Sequence, residues 1–129
     1  MLLVVDFDRT LTPVSSIAFI AERLGFFDKV VEIMKMDVEE RVKSRLLASL
    51  LGGLKVSELK HIASTIPIDP EVRCAVEHAR SRGAKVAVVT LAYMQVVKAA
   101  IKGIPIDVVR APVLIERNGY LTGEVLLDE

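Results

Sequence analysis

The stretch Met1-Leu2-Leu3-Val4-Val5-Asp6-Phe7-Asp8-Arg9-Thr10 decides how this chain is read. Its apolar run ends in two carboxylates spaced i, i+2, and a threonine follows two positions further on. The run is too short for an ordinary helix and reads as a buried strand over residues 2–6. Open α/β sheets bind ligands outside the carboxyl ends of their strands, which is where Asp6 and Asp8 fall. Two carboxylates this close repel each other unless a cation or a shared proton offsets the repulsion. The pair therefore calls for a divalent metal, and hard oxygen ligands favour magnesium.

Beyond this strand the pattern turns helical. Ile17, Ile20, Ala21 and Leu24 share one face of a helix from Ser16 to Leu24, with Ser15 or Ser16 as its cap and Gly25 as its end. Residues 28–51 carry an apolar stripe that fits two helices, broken by Gly52-Gly53. A short helix is expected over 57–66 with Ser57 as its cap. Asp69-Pro70-Glu71 is a helix start with Asp69 as N-cap and Pro70 at the first position, and Gly83 is its stop. Lys85-Val86-Ala87-Val88-Val89-Thr90 is a second buried strand. A helix over 93–102 and a short strand over 107–110 follow. Asn118-Gly119 then joins two strand-like runs as a two-residue hairpin. Strands alternating with helices predict a parallel sheet with right-handed crossovers. The expected fold is α/β: a truncated Rossmann-like three-layer core over 1–12 and 67–129, a small helical cap insertion over 13–66, and a β-hairpin near the C-terminus.

Composition narrows the function. Hydrophobic residues make up 52% of the 129 positions, more than a domain of this size readily hides, so a contact with another chain is expected. Lys plus Arg and Asp plus Glu number 17 each. No basic stripe points to nucleic acid, and no polybasic anchor, signal peptide or spanning segment points to a membrane. One cysteine, Cys74, allows no internal disulfide and fits a reducing cytoplasm. It is read as a small packed hydrophobe on a helix. His61 and His78 show no metal-ligand spacing. Asn118 and Gln95 are the only amides, which with the abundant charge fits a thermophile.

Asp6-Phe7-Asp8-Arg9-Thr10 resembles the first motif, D-x-D-x-T, of the haloacid dehalogenase-like phosphatases. The resemblance implies that Asp6 is the nucleophile and Asp8 the general acid and base. It implies a magnesium ion on Asp6 and Asp8. It also implies that Thr10 helps hold the turn and that phosphate meets Thr10, Thr90 and Leu91. Thr90 stands in the order the family's second motif, a Ser or Thr, requires, and the N–H groups of Leu91 and Ala92 are expected to add to it at a helix start. Lys85 to Thr90 and Leu121-Thr122-Gly123-Glu124 look like the phosphoserine phosphatase branch, which carries a helical cap in this place.

The departures from that branch are specific. Its substrate-binding glutamate is matched by Ser15, its two glycines by Leu91 and Ala92, and its cap arginine only by Arg45. These substitutions argue against phosphoserine, and a helical cap enclosing the site favours a small phosphorylated metabolite over a phosphoprotein. The third-motif lysine and fourth-motif aspartates belong after the hairpin, and Asp128 is not in a matching context. Without the fourth-motif strand, Leu2 to Val5 would be an open apolar edge. The expectation is a homodimer or a complex with a chain carrying the missing motifs. Two readings stay open: a magnesium-dependent phosphomonoesterase, and a catalytically weak or inactive relative that binds a phosphate ligand or a protein partner.

Overall fold

The computed structural model describes residues 1–127. Three strands, β1 (Leu2–Val5), β2 (Lys85–Val89) and β3 (Val108–Arg110), form a parallel sheet in the order β1-β2-β3. Leu2 pairs with Lys85 and Ala87 with Val108, so side chains in register share a face. One face holds Val5, Val86 and Val88, all buried in the main core. The opposite face carries Leu2, Val4, Val89 and Val108, which are exposed. β1 is an edge strand among the described residues, with Leu2 62% and Val4 57% exposed.

Between β1 and β2 come five helices: α1 (Ser16–Leu24), α2 (Phe27–Met34), α3 (Glu40–Ser49), α4 (Val56–Ala63) and α5 (Pro70–Ser81). The excursion that contains the first four is closed where it leaves and returns, because Asp69 N–H donates to the Leu11 carbonyl at 2.8 Å. Asp69 also caps α5 as expected, accepting from Glu71 N–H at 2.9 Å and Val72 N–H at 3.2 Å. Helix α6 (Met94–Ala100) links β2 to β3. The hairpin β4 (Val113–Arg117) and β5 (Tyr120–Leu126) turns through Asn118 and Gly119, both at positive φ, as the two-residue turn requires. Its strands are stitched to the loop between α3 and α4: Gly53 N–H donates to Leu121 O and Leu121 N–H to Leu54 O, each at 2.8 Å. Gly52 permits this approach, since a Cβ there would lie 3.3 Å from the Gly123 Cα.

Two expectations are corrected here. Ser57 is not the cap of α4; that position falls to Lys55, which lets Val56 pack as the first apolar residue of the helix. Cys74 is exposed rather than packed. The buried stripe of α5 runs through Val72 and Val76, and a residue midway between them points to the other side of the helix. The helix after β2, expected over 93–102, runs Met94–Ala100. His61, His78, Lys98 and Lys102 are exposed. Asp128 lies outside the described residues. No helix among the described residues is long and apolar enough to cross a membrane.

Candidate active site

The chain leaves β1 in extended conformation, so alternation continues past the strand end. Phe7 is fully buried, while its neighbours Asp6 and Asp8 turn to the opposite side. Residues Phe7–Leu11 then make a five-residue turn closed by Thr12 N–H donating to the Phe7 carbonyl at 3.1 Å. Arg9 sits in this turn at φ 60°, the left-handed region that a long side chain rarely occupies. The buried hydroxyl beside the turn is Thr12, which accepts from Val14 N–H at 3.4 Å just past it. Thr10, expected to help hold the turn, is exposed and does not line the cavity described below.

The two carboxylates have different surroundings. Asp6 is exposed, and its Oδ1 accepts from the Phe7 N–H at 2.7 Å. Asp8 is half-buried, and its Oδ1 accepts from the Ser16 N–H at 3.0 Å. Ser16 opens α1, and Ser15 makes no capping hydrogen bond, so Asp8 takes over as the acceptor at that helix end. Burial pushes the Asp8 carboxyl above its ordinary value, against the pull of its hydrogen bonds to Ser16.

Thr90 lies just past the end of β2, beside β1 in the sheet, and is buried. Its Oγ1 accepts from Ala92 N–H at 3.0 Å, which leaves the hydroxyl proton free to donate. The Ala92 N–H is thereby used up and does not reach into the cavity as expected. A cavity of about 270 Å³ joins these groups. The core supplies Asp6, Asp8, Thr90 and Leu91; α1 and the loop before it supply Ser15, Ser16 and Ile17; α2 and α3 supply Met34, Lys43 and Leu47. Five of the seven expected site residues, Asp6, Asp8, Ser15, Thr90 and Leu91, line this cavity, and Thr10 sits on the Phe7–Leu11 turn outside the lining. Arg45 lies on α3 outside the lining.

Two wall residues escaped the sequence reading. Tyr93 is buried, and its hydroxyl donates to the Ser44 carbonyl across a separation of 49 residues. Burial pushes its phenol up to about 12. Ser44 faces the same cavity from α3. No spacing rule joins a tyrosine after β2 to a serine on a distant helix, so nothing in the local pattern marked either.

A magnesium ion fits Asp6 and Asp8 as two of its ligands, because that ion commonly takes one or two carboxylates and fills its remaining positions with water and phosphate oxygens. No third carboxylate, imidazole or thiolate completes a cluster with them among the described residues.

The chain is similar to known proteins over almost its full length. Residues 3–129 match the model of the haloacid dehalogenase-like hydrolases. A phosphoserine phosphatase of Lactococcus lactis is 30% identical over 129 residues, 95% of this chain and 59% of that protein. Inorganic pyrophosphatase 1 of Arabidopsis thaliana is 30% identical over 90 residues, covering 69% of this chain and 30% of that protein. A solved phosphoserine phosphatase structure, of a phospho-aspartyl intermediate analogue, superposes with a TM-score of 0.83 at 27% identity, over 97% of this chain and 62% of that one. The chain thus spans about three fifths of the phosphoserine phosphatases it matches. The strand-end aspartates, the adjacent strand-end threonine and the full-length match agree: the chain belongs to the haloacid dehalogenase-like hydrolase family.

Proposed function

We propose that this chain works as a magnesium-dependent phosphomonoesterase on a small phosphorylated metabolite. The observation that carries the reading is the convergence of Asp6, Asp8 and Thr90 on one cavity at the carboxyl ends of adjacent parallel strands. A carboxylate oxygen of Asp6 attacks phosphorus, and the bond from phosphorus to the ester oxygen breaks. Asp8 gives its proton to the departing alcohol. The ionised Asp8 then takes a proton from water, whose oxygen attacks phosphorus and releases phosphate and the Asp6 carboxylate. Thr90 donates its free hydroxyl proton to a phosphoryl oxygen. Asp6 and Asp8 would hold the metal, which when bound neutralises phosphoryl charge. The helices over the site and the modest cavity volume favour a small ester over a protein substrate.

The proposal includes a partner. A second copy, or a chain carrying the family's third and fourth motifs, would pair along the open edge of β1 and supply further cationic and metal-binding groups. A second reading is a weak or inactive relative that binds phosphate without turnover. The two-carboxylate constellation, with no third ligand among the described residues, favours it. Phosphate release from an aryl phosphate, with magnesium and after chelation, separates the two. Turnover that needs magnesium and disappears in Asp6→Asn supports the enzyme. Phosphate binding with no turnover supports the second reading.

A further inference from the structure

The cavity wall contains a buried hydroxyl without a well-formed hydrogen bond. Ser44 is only 9% exposed, and its Oγ lies beside the Tyr93 hydroxyl but makes no hydrogen bond of good geometry among the described residues. A buried hydroxyl left in this state is costly, and ligands are one way such groups are satisfied. Ser44 lines the cavity that holds Asp6 and Asp8, and it also lines an adjoining cavity of about 260 Å³ that shares Thr90 and Leu91. It therefore stands beside the place where the alcohol part of an ester would lie once the phosphate is at Asp6.

The charges nearby are already engaged. Lys43 Nζ donates to the Met34 carbonyl at 3.0 Å, closing the C-terminal end of α2, and lies 3.7 Å from Glu40 Oε1. The rest of the wall over the alcohol position is Ile17, Met34, Leu47 and Tyr93, with the hydroxyls of Ser15 and Ser44. Such a wall suits a neutral, hydroxyl-bearing group with apolar faces. Its charged pair, Glu40 and Lys43, is joined to itself at 3.7 Å rather than presented separately to an amino-acid zwitterion.

We infer that Ser44 is a specificity-determining residue whose hydroxyl hydrogen-bonds a hydroxyl of the leaving alcohol, and that the substrates are phosphate esters of small neutral polyols. The inference rests on the phosphatase reading for turnover but not for binding, so it is tested in both. Glycerol 1-phosphate and propyl phosphate share a carbon chain and differ in the hydroxyls. The wild-type protein should prefer the first in kcat/KM, and Ser44→Ala should shrink that preference roughly three- to tenfold, the effect of one neutral hydrogen bond. Ser44→Thr, which keeps the hydroxyl, should restore most of it. Ser44→Ala should also melt a few degrees higher without ligand, since it removes a buried polar atom without a well-formed hydrogen bond. Calorimetric binding of the same two esters to Asp6→Asn reads the preference without turnover, and Asp6→Asn/Ser44→Ala should lose it. The same preference with and without the Ser44 hydroxyl would overturn the inference, as would no binding of either ester or stronger binding of O-phosphoserine. Failure of turnover with the binding preference intact would sink only the phosphatase reading.

Discussion

Tyr93→Phe removes one oxygen and should invert its own effect on stability as pH rises. The phenol donates to the Ser44 carbonyl and ties the turn after β2 to α3. Below about pH 10 the phenol is neutral in both folded and unfolded chains, and the variant should be less stable by about 0.5–1.5 kcal/mol, the net value of a typical hydrogen bond. Burial holds the folded-state phenol near 12 against about 10 in the unfolded chain. A raised folded value means stability that is whole at lower pH and is lost as pH climbs through that window. The loss is about 1.4 kcal/mol by about pH 11 and ~2–3 kcal/mol once the folded value is passed. The phenylalanine variant has no such group, so the two stability curves should cross near pH 11. Urea unfolding at several pH values between 8 and 12 reads both curves, and groups common to both proteins cancel in their difference. A variant as stable as wild type at pH 8, or two curves that fall in parallel, would refute the reasoning.

Three further outcomes follow from the same geometry. Asp8→Asn should raise the melting temperature at neutral pH, because burial works against the charged carboxyl; the advantage should narrow as pH falls through the carboxylate range, and a pH-independent difference would tell against it. Gln95→Leu should cost ~2–5 kcal/mol by urea midpoint. That side chain is buried, donates to Leu114 O at 2.7 Å and accepts from Leu114 N–H at 3.1 Å, so its loss strands both backbone groups of a buried residue. Light scattering behind size-exclusion chromatography should show a species larger than one chain, since β1, an edge strand among the described residues, leaves Leu2 and Val4 exposed; a monomer over a wide concentration range would remove the partner from the proposal.

The sequence announced what is local. Asp6 and Asp8 follow from a short apolar run that ends at them, and Asp69-Pro70 marks a helix start within three residues of itself. Asn118-Gly119 makes a turn that depends on its own two backbones. What stayed hidden depends on distant contacts. Tyr93 meets Ser44 across 49 residues, and Gln95 meets Leu114 across 19. Cys74 was misplaced because its residue type suggests burial, whereas its position on α5 sets it off the Val72–Val76 stripe. Thr10 drew attention through the motif, yet the buried hydroxyl beside that turn is Thr12, two residues later. Arg45 sat near the right segment, but the turn of α3 presents Lys43, Ser44 and Leu47 to the cavity instead.

The central claim is that Asp6 carries the phosphoryl group, and it can be read directly. Asp8→Asn should slow breakdown of the intermediate, since the proton acceptor for water is gone. After incubation of this variant with an aryl phosphate and magnesium, acid quenching and peptide mass spectrometry should find one phosphoryl adduct, on the peptide containing Asp6. Borohydride reduction of that acyl phosphate should mark Asp6 itself. An adduct on another residue, or steady turnover by wild type with no adduct in either protein, would contradict the account.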